Sequence, residues 1–548
     1  VTDAVTDAAG AAVTPDPAFT ACLQGPTPYC SSLAQALAGI AVPLPGHGIV
    51  AASVFTTMSA TAWLEHARAT LPYVAPLVTL AQPQSAFRVA DLTGIVLHEQ
   101  TGANPSTFFD IALPINSALL NGVDRVVIGS YESPSFLEGD QTIRPAPTRP
   151  DLNVPANIVQ VGFNALLPST PKPPAGYPVV IFGHGYGDSR FGGPTAVAPA
   201  LARAGLATIA IDAVGHGFGP QSSVTFTGKQ SNSVTLNALG RSIDLNGDGV
   251  IQSDEGCAII TPVSYGLRDC FRQTVVDLMQ LVRAIRQGID LDGDGTPDLD
   301  AGHIYYAGDS LGSLYGTILT AMEPSVRAVS LTVGGGSTAD ISLWSPGYQG
   351  QDLQVLGQRI PSLLNQGKSY NADSVLPNQP VHAVTVPGAL PIQDVFETLD
   401  WLAVSGDQIA FAPHLQVSPL AGTPPRPALV QFARADMTMP NPSSSQLIQA
   451  AGLQSSTWEY RHDLARAKAP DLPLDPHPYL VLFVSLNGST IQLPSLDALS
   501  ISLDAQGQVA GFLASDGAAI PDPNNLSKLF FGFSVFQMPT TLPFDMGF

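Results

Sequence analysis

Five residues, Gly308-Asp309-Ser310-Leu311-Gly312, set a serine between two glycines at G-x-S-x-G spacing. A serine hydroxyl attacks a carbonyl only when it is exposed and within reach of a base. The neighbouring sequence provides the exposure. His303–Ala307 is short, apolar and β-prone, and Leu311–Met322 reads as a helix that stops before Pro324. A strand that turns directly into a helix leaves no room for side chains at Gly308 or Gly312, and it holds Ser310 at the tip of the turn beside the helix N-terminus.

A second kind of chemistry is written in two acidic loops. Asp244-Leu-Asn246-Gly-Asp248-Gly249-Val250 continues to Glu255, so carboxylate or amide oxygens stand at positions 1, 3, 5 and 12 of an EF-hand-type loop. The Val250 carbonyl stands at position 7, and Gly249 makes the sharp turn at position 6. Oxygen-only ligands suit the hard Ca²⁺ ion. The second loop offers Asp290, Asp292, Asp294, Thr296, Asp298 and Asp300, but Ala301 replaces the bidentate glutamate. It too is read as a calcium turn, and it leads straight into the strand that carries Ser310. Calcium in both loops is expected to be structural, with no organic cofactor.

The elements that must position these residues follow from hydrophobic pattern. Ile158–Leu167 alternates like a half-buried strand. Tyr177–Phe182, Leu206–Ile211, Val326–Val333 and Ala428–Ala433 are continuous apolar runs of the kind buried in parallel sheets. Ala198–Ala204 and Cys270–Gln287 read as helices. Towards the N-terminus, Ile49–Thr57 and Val123–Ser130 read as strands and Ala60–Leu71 as a helix, with Trp63, Leu64 and Ala67 on one face. Asp140–Asn157, with four prolines, reads as a linker into the core. The opening residues, Val1–Gly10, carry no basic or apolar leader pattern and are expected to be the tail of a β-sandwich-like module.

The 548 residues exceed one simple domain, and 45% hydrophobic content supplies a large core. A net charge of −21 excludes the basic patches that nucleic-acid phosphates require. There is no apolar run of about 18 residues, so no membrane span is expected. Four cysteines fall into two local pairs, Cys22 with Cys30 and Cys257 with Cys270. An even count at short separations points to two disulfides and an oxidising compartment, hence a secreted or cell-surface protein.

Two more segments complete the picture. The strand at 177–182 runs into Gly183-His184-Gly185-Tyr186-Gly187, and the strand at 206–211 runs into Asp212-Ala-Val-Gly-His216-Gly217. With Gly-Asp-Ser-Leu-Gly, Asp436 and Pro476-His477-Pro-Tyr-Leu480, these make residues 156–336 and 426–520 resemble a secreted bacterial lipase or esterase of the α/β-hydrolase superfamily. The chain is similar to the large extracellular lipases, including the bacterial virulence-factor lipase type. The resemblance implies an α/β fold with a mostly parallel sheet and a β-containing N-terminal region. The chain then reads as an accessory region at 1–155 and a core at 156–336, with a calcium-loop insertion at 218–270 that departs from simple lipases. A cap insertion is then expected at 337–425, with a candidate helix at Ile392–Val404, and the rest of the core at 426–548.

In this family the order along the chain is serine, acid, histidine. Ser310 is then the nucleophile and Asp436, just after the strand at 428–433, the acid; Asp394, Asp400 and Asp407 are weaker choices inside the insertion. His477 is favoured as the base, with His462 as the alternative. Tyr186 and Leu311 are the expected backbone donors of the oxyanion hole, and His184 and His216 are expected to be structural. The activity implied is a serine carboxylic ester hydrolase acting on lipid, short-chain or polymeric esters. A peptidase or amidase of the same fold and a non-catalytic calcium-stabilised surface protein stay open as alternatives.

Overall fold

The computed structural model describes all residues except 40–45, 56–58, 83, 114–119, 145–153, 231, 253, 258–265, 349, 353–355, 357–388, 483–484, 488–489, 493 and 548. The chain divides into two units, Val1–Ser59 and Ala60–Phe548.

The first unit departs from the expected β-sandwich tail. Its described residues form two short helices, Pro17–Leu23 and Pro28–Ala38, and the isolated bridges Thr2–Ile49 and Thr6–Ala12. Each helix starts with a proline in its first turn and a side-chain cap, from Asp16 and Thr27. The Cys22–Cys30 disulfide joins them. The Ala- and Pro-rich composition favours capped helical turns over paired strands. Of the strand expected at Ile49–Thr57, Ile49 makes a bridge among the described residues, and 56–57 lie outside them.

In the second unit the strands, in chain order, are β1 (Val78–Leu80), β2 (Ala86–Arg88), β3 (Leu92–Ala103), β4 (Ser106–Leu113), β5 (Val123–Ser135) and β6 (Asn157–Pro168). β7 (Tyr177–Gly183), β8 (Ala207–Ile211), β9 (Ser223–Gly228), β10 (Ser233–Asn237), β11 (Leu299–Asp309) and β12 (Val326–Thr332) follow. The last are β13 (Ala428–Ala433), β14 (Thr457–Tyr460), β15 (Ser485–Asn487), β16 (Thr490–Gln492) and β17 (Phe536–Gln537). The main sheet runs β1-β5-β6-β8-β7-β11-β12-β13-β14-β17, with β2 beside β5. Its centre, from β8 to β14, is parallel throughout, and the antiparallel strands lie at its two ends. The smaller sheet runs β10-β9-β3-β4-β16-β15.

The continuous apolar runs are the central strands because both of their faces are covered. On one face, helices Ala62–Thr70, Gly266–Gln287 and Leu311–Met322 bury Trp63, Phe271, Met279 and Ile318 against Val179, Ile181 and Ile209. On the other, helices Gly193–Arg203 and Leu496–Ala514 bury Leu201, Ile501 and Val509 against Val180, Phe182 and Leu429. The fold is therefore α/β with helices on both sides of a mostly parallel centre.

The boundary expected near residue 155 is not a division of this fold. β1, β2 and β5 belong to the same sheet as β7 and β11, and Val127 and Tyr131 of β5 are buried in the same core. The signal for this was β5 itself, which is longer than the run visible in sequence. Within 218–270, β9 and β10 extend the smaller sheet beside β3. Within 337–425 the described residues form helices Thr338–Trp344, Ala389–Ala403, Gln408–Phe411 and Pro413–Gln416. Val395, Phe396 and Leu399 of the expected cap helix pack on Ala339 and Leu356. The second cysteine pair, Cys257–Cys270, is also a disulfide, and no helix among the described residues is long and apolar enough to cross a membrane.

One buried ion pair fixes the loop after β8. Arg190 and Asp212 are each at most 1% exposed. The Arg190 guanidinium donates to Asp212 and to the Ala238 carbonyl, and to Asn164 Oδ1 at 3.0 Å; its backbone N–H reaches Asp212 Oδ1 at 2.8 Å. Removing one member leaves the other charged and unpaired in the core. Arg190→Met is expected to destabilise the fold by about 3–5 kcal/mol, and Arg190→Met with Asp212→Asn by less than Arg190→Met alone. Denaturant unfolding checks this, and equal stability of Arg190→Met and wild type would contradict it.

Candidate active site

The turn from β11 into the helix Leu311–Met322 is shaped by steric contact. Ser310 has φ 54° and ψ −120°, a strained conformation for a residue with a Cβ, held by its surroundings. Its N–H donates to the Thr332 carbonyl at 3.0 Å, and Ser313 Oγ donates to the Gly308 and Thr332 carbonyls at 2.8 and 2.7 Å. A Cβ on Gly312 would fall on the carbonyl of Gly183, and one on Gly308 on the carbonyl of Gly312. The glycines thus let the helix N-terminus press against the end of β7.

Three side chains meet at this turn. His477 Nε2 lies 2.7 Å from Ser310 Oγ, and His477 Nδ1 lies 2.9 and 3.1 Å from the two oxygens of Asp436. Asp436 sits on the turn after β13, where its Oδ1 accepts the N–H groups of Thr438 and Met439 at 2.9 and 2.7 Å. His477 sits between Pro476 and Pro478 in a short 3₁₀ turn. All three come from the carboxyl-end side of β11, β13 and β14, the usual location of sites in such sheets.

His462, the alternative base, is buried at the start of the helix His462–Lys468, with Nδ1 3.1 Å from the Tyr460 hydroxyl and no bond to Ser310. Asp407 is also buried, accepting the Thr338 and Ile409 N–H groups inside the insertion. Neither joins the cluster.

The remaining wall is the loop after β7. A Cβ on Gly185 would lie 3.5 Å from Ser310 Cβ, so the backbone of residues 184–186 runs past the nucleophile. His184 fixes that loop: its Nε2 accepts the Ala213 N–H at 3.0 Å, which leaves Nδ1 to donate to the Gly185 carbonyl at 2.8 Å. His216 bonds the Val214 carbonyl through Nδ1 at 3.0 Å. Both histidines serve the loops. Leu311 opens its helix, where the first N–H groups have no intrahelical acceptor. The rings of Tyr186 and Tyr348 stand edge to face at 6.1 Å, and Gly347 beside Tyr348 donates its N–H to the Met437 carbonyl of the acid-bearing turn at 3.1 Å.

The charges are set by burial and by one another. Burial pulls the His477 imidazole down, but Asp436, and behind it Asp309 and Asp475, outweigh that and raise it to about 9. Burial raises Asp436 above the ordinary carboxylate range, against the pull of His477. Asp309, the residue before the serine, is 4% exposed, with one oxygen unpartnered among the described residues. Burial raises it to about 7, with Asp188 and Asp436 adding to the effect and His477 opposing it.

The two acidic loops share one backbone form. In the first, Asp244 accepts the Gly247 and Gly249 N–H groups at 2.7 and 2.9 Å, and Glu255 Oε2 accepts those of Leu245 and Asn246. One oxygen each of Asp244, Asp248 and Glu255 lie within 4.8 Å of one another. Among the described residues, Glu255 Oε1 is buried without a hydrogen-bond partner. Asn246 Oδ1 accepts the Asp248 N–H at 2.7 Å, and Val250 is anchored by its bridge to Gly102. A buried carboxylate oxygen with no donor, beside two further carboxylates, fits a cation.

The second loop repeats this with a difference that residue spacing alone does not reveal. Asp290 accepts the Gly293 and Gly295 N–H groups, and Asp298 Oδ2 accepts those of Leu291 and Asp292 at 2.6 and 3.1 Å. Asp298 therefore does here what Glu255 does in the first loop, three positions earlier. Lys172 Nζ reaches into this loop, 2.8 Å from Asp294, 2.9 Å from Asp298 and 3.1 Å from Thr296 Oγ1. Asp294 is lowered to about 2, first by Lys172. Asp290, Asp292 and Asp294 cluster, whereas Asp300 turns away to the Gly302 N–H and to His303 at 2.8 Å. Asp300 thus stands outside the group expected from spacing, because its carboxylate is used within β11 by the Gly302 N–H and His303.

No protein-family model matches the sequence, and no curated protein matches it. Among solved structures, an acetyl xylan esterase from Thermoanaerobacterium sp. JW/SL YS485 is 15% identical over 73% of this chain and 83% of that one, at a TM-score of 0.35. Acetyl xylan esterase from Paenibacillus sp. R4 is 13% identical over 75% and 90%, at 0.38. Pyrococcus horikoshii acylaminoacyl peptidase is 11% identical over 67% and 42%, at 0.33. Likenesses this distant carry no inference about reaction or substrate.

The geometry makes a direct claim on His477. Its imidazole should titrate near 9 by proton NMR, and Asp436→Asn should bring it down, because the carboxylate that does most to hold the proton is then gone. The folded value is raised, so this group's contribution to stability is full below the unfolded value of about 6.5 and is lost as pH rises through about 9. A wild-type value at or below the ordinary one would contradict the arrangement.

Proposed function

We propose that the protein is a serine carboxylic ester hydrolase that works through an acyl-enzyme. The observation that carries this reading is the continuous relay from Ser310 Oγ through His477 to Asp436, on a turn that points the hydroxyl out of the sheet. In its neutral form, His477 Nε2 takes the Ser310 proton as Oγ bonds to the ester carbonyl carbon, and Asp436 stabilises the imidazolium that forms and holds its orientation. The carbonyl oxygen becomes an oxyanion facing the N–H of Leu311 and of Tyr186, each donor contributing about 10²–10³ in rate. His477 returns the proton to the departing alkoxide, and the C–O bond breaks to release the alcohol. Water then gives a proton to His477, adds to the acyl carbon, and Ser310 leaves with that proton as the acid departs.

The reading extends to hydrophobic acyl groups, supported by the Tyr186 and Tyr348 rings beside the acid loop. Lipid, short-chain and polymeric esters share that chemistry. The two disulfides are consistent with work outside the cell.

We also propose that Asp244, Asn246, Asp248, the Val250 carbonyl and Glu255 hold a structural calcium ion, which neutralises their charge and takes no part in the ester chemistry. In the loop of Asp290, Asp292, Asp294, Thr296 and Asp298 a cation must displace the Lys172 ammonium, so binding there should be weaker.

Ser310→Ala should abolish aryl-ester hydrolysis with unchanged circular dichroism, and His477→Ala should cost about 10⁴-fold or more, His462→Ala far less. Near wild-type turnover in Ser310→Ala would overturn the proposal. Chelation should lower the melting temperature, and calorimetric titration should show one tight calcium site that Glu255→Gln removes and a weaker one that Lys172→Met strengthens. Metal-free protein whose melting temperature ignores added calcium would refute the cation reading.

A further inference from the structure

The acid and the base of the relay sit on turns 41 residues apart in sequence. Asp436 follows β13, while His477 comes after β14 and the helix His462–Lys468. A hydrogen bond of 2.7 Å to Ser310 requires that these two turns keep a fixed distance, because a shift of about 1 Å at such a site costs about 10²-fold in rate. The Asp436–His477 pair cannot supply that alignment alone, since it is itself what must be aligned.

One further side chain bridges the turns. Asp475 Oδ1 accepts the N–H of Met437 at 3.1 Å and the N–H of His477 at 3.1 Å, and Asp475 Oδ2 accepts the Thr438 hydroxyl at 2.8 Å. One carboxylate thus ties the residue after the acid to the base itself. Among the described residues, Asp475 and the Asp436–His477 pair supply the side-chain hydrogen bonds between residues 436–439 and 475–479. Pro476 and Pro478 on either side of His477 limit how that turn can drift if the tie is cut.

Resting on the hydrolase reading above, we propose that Asp475 is a positioning residue that clasps the base-bearing turn to the acid-bearing turn and adds a negative charge behind the imidazolium. The groups facing His477 are Asp436 and Asp475 from these turns and Asp309 from the end of β11; Asp188 faces Asp309, and His462 faces Asp475. Of these, Asp475 accepts backbone N–H groups from both turns, those of Met437 and His477. Its charge adds to the pull that keeps the His477 proton.

Two variants separate the clasp from the charge. Asp475→Asn keeps an oxygen for the Met437 and His477 N–H groups and turns an amide towards the Thr438 hydroxyl, so the turns stay joined while the charge is gone. Asp475→Ala removes both. In aryl-ester hydrolysis Asp475→Ala should lose about 10²-fold in kcat with a smaller change in KM. Asp475→Asn should keep most of kcat and move the acid limb of the kcat/KM profile to lower pH. A purely structural aspartate would lower the melting temperature of both variants and leave the pH profile of the folded protein unmoved, which would overturn the proposal, as would wild-type kcat in Asp475→Ala. Wild-type protein without hydrolysis would refute the hydrolase reading, and the His477 proton resonance would still decide the clasp. A lower titration point in Asp475→Asn, together with a lost or broadened Nδ1 proton in Asp475→Ala, supports it; unchanged resonances in both overturn it.

Discussion

The close approach of the helix Leu311–Met322 to the end of β7 is the constraint on which the site depends. Gly312 lies against the Gly183 carbonyl with no space for a Cβ, and Gly308 against Gly312. That contact forces the chain to reverse within one residue, which is why Ser310 takes a positive φ. A wider turn would relax the backbone and let the hydroxyl drop towards the sheet. The strain is local and its support is spread out: Thr332 at the end of β12, Tyr306 inside β11 and Ser313 in the helix each hold a carbonyl or N–H of the turn.

Everything else delivers groups to that point. β7 brings the 184–186 backbone alongside, steadied by His184 on the Ala213 N–H. The loop after β8 that carries Ala213 is in turn pinned by the Arg190–Asp212 pair. β13 and the segment after β14 bring the acid and the base. The result is a pair of buried carboxyl groups, Asp309 and Asp436, beside the His477 imidazole, with Asp188 facing Asp309. Burying several carboxyls together is costly, and the raised values of Asp309 and His477 are two expressions of the same crowding: the acids favour their protonated forms and the imidazole its charged one.

Much of this was legible in the residues. Ala428–Ala433 is a strand with the bounds its apolar run implied, and Leu311–Met322 is a helix with the same ends. Buried parallel strands and a glycine-flanked turn leave strong local marks in sequence. The grouping of Ser310, Asp436 and His477 was expected from a family order and is now seen as distances. What sequence could not give was pairing across long separations. β5 lies in the central sheet because of partners in β1, β2 and β6, which no local pattern names. Lys172 reaches the loop at 290–298 from 122 residues away. Asp298 substitutes for the missing position-12 glutamate through the way the loop closes on itself, a three-dimensional equivalence that alignment by position hides.

The central claim is that Ser310 is a nucleophile activated by His477. The most direct measurement is intact-protein and peptide mass spectrometry after reaction with a fluorophosphonate ester. The account predicts one adduct per chain, on Ser310, formed with loss of fluoride and suppressed in His477→Ala. An unmodified protein, or an adduct on another serine with Ser310 untouched, would contradict it.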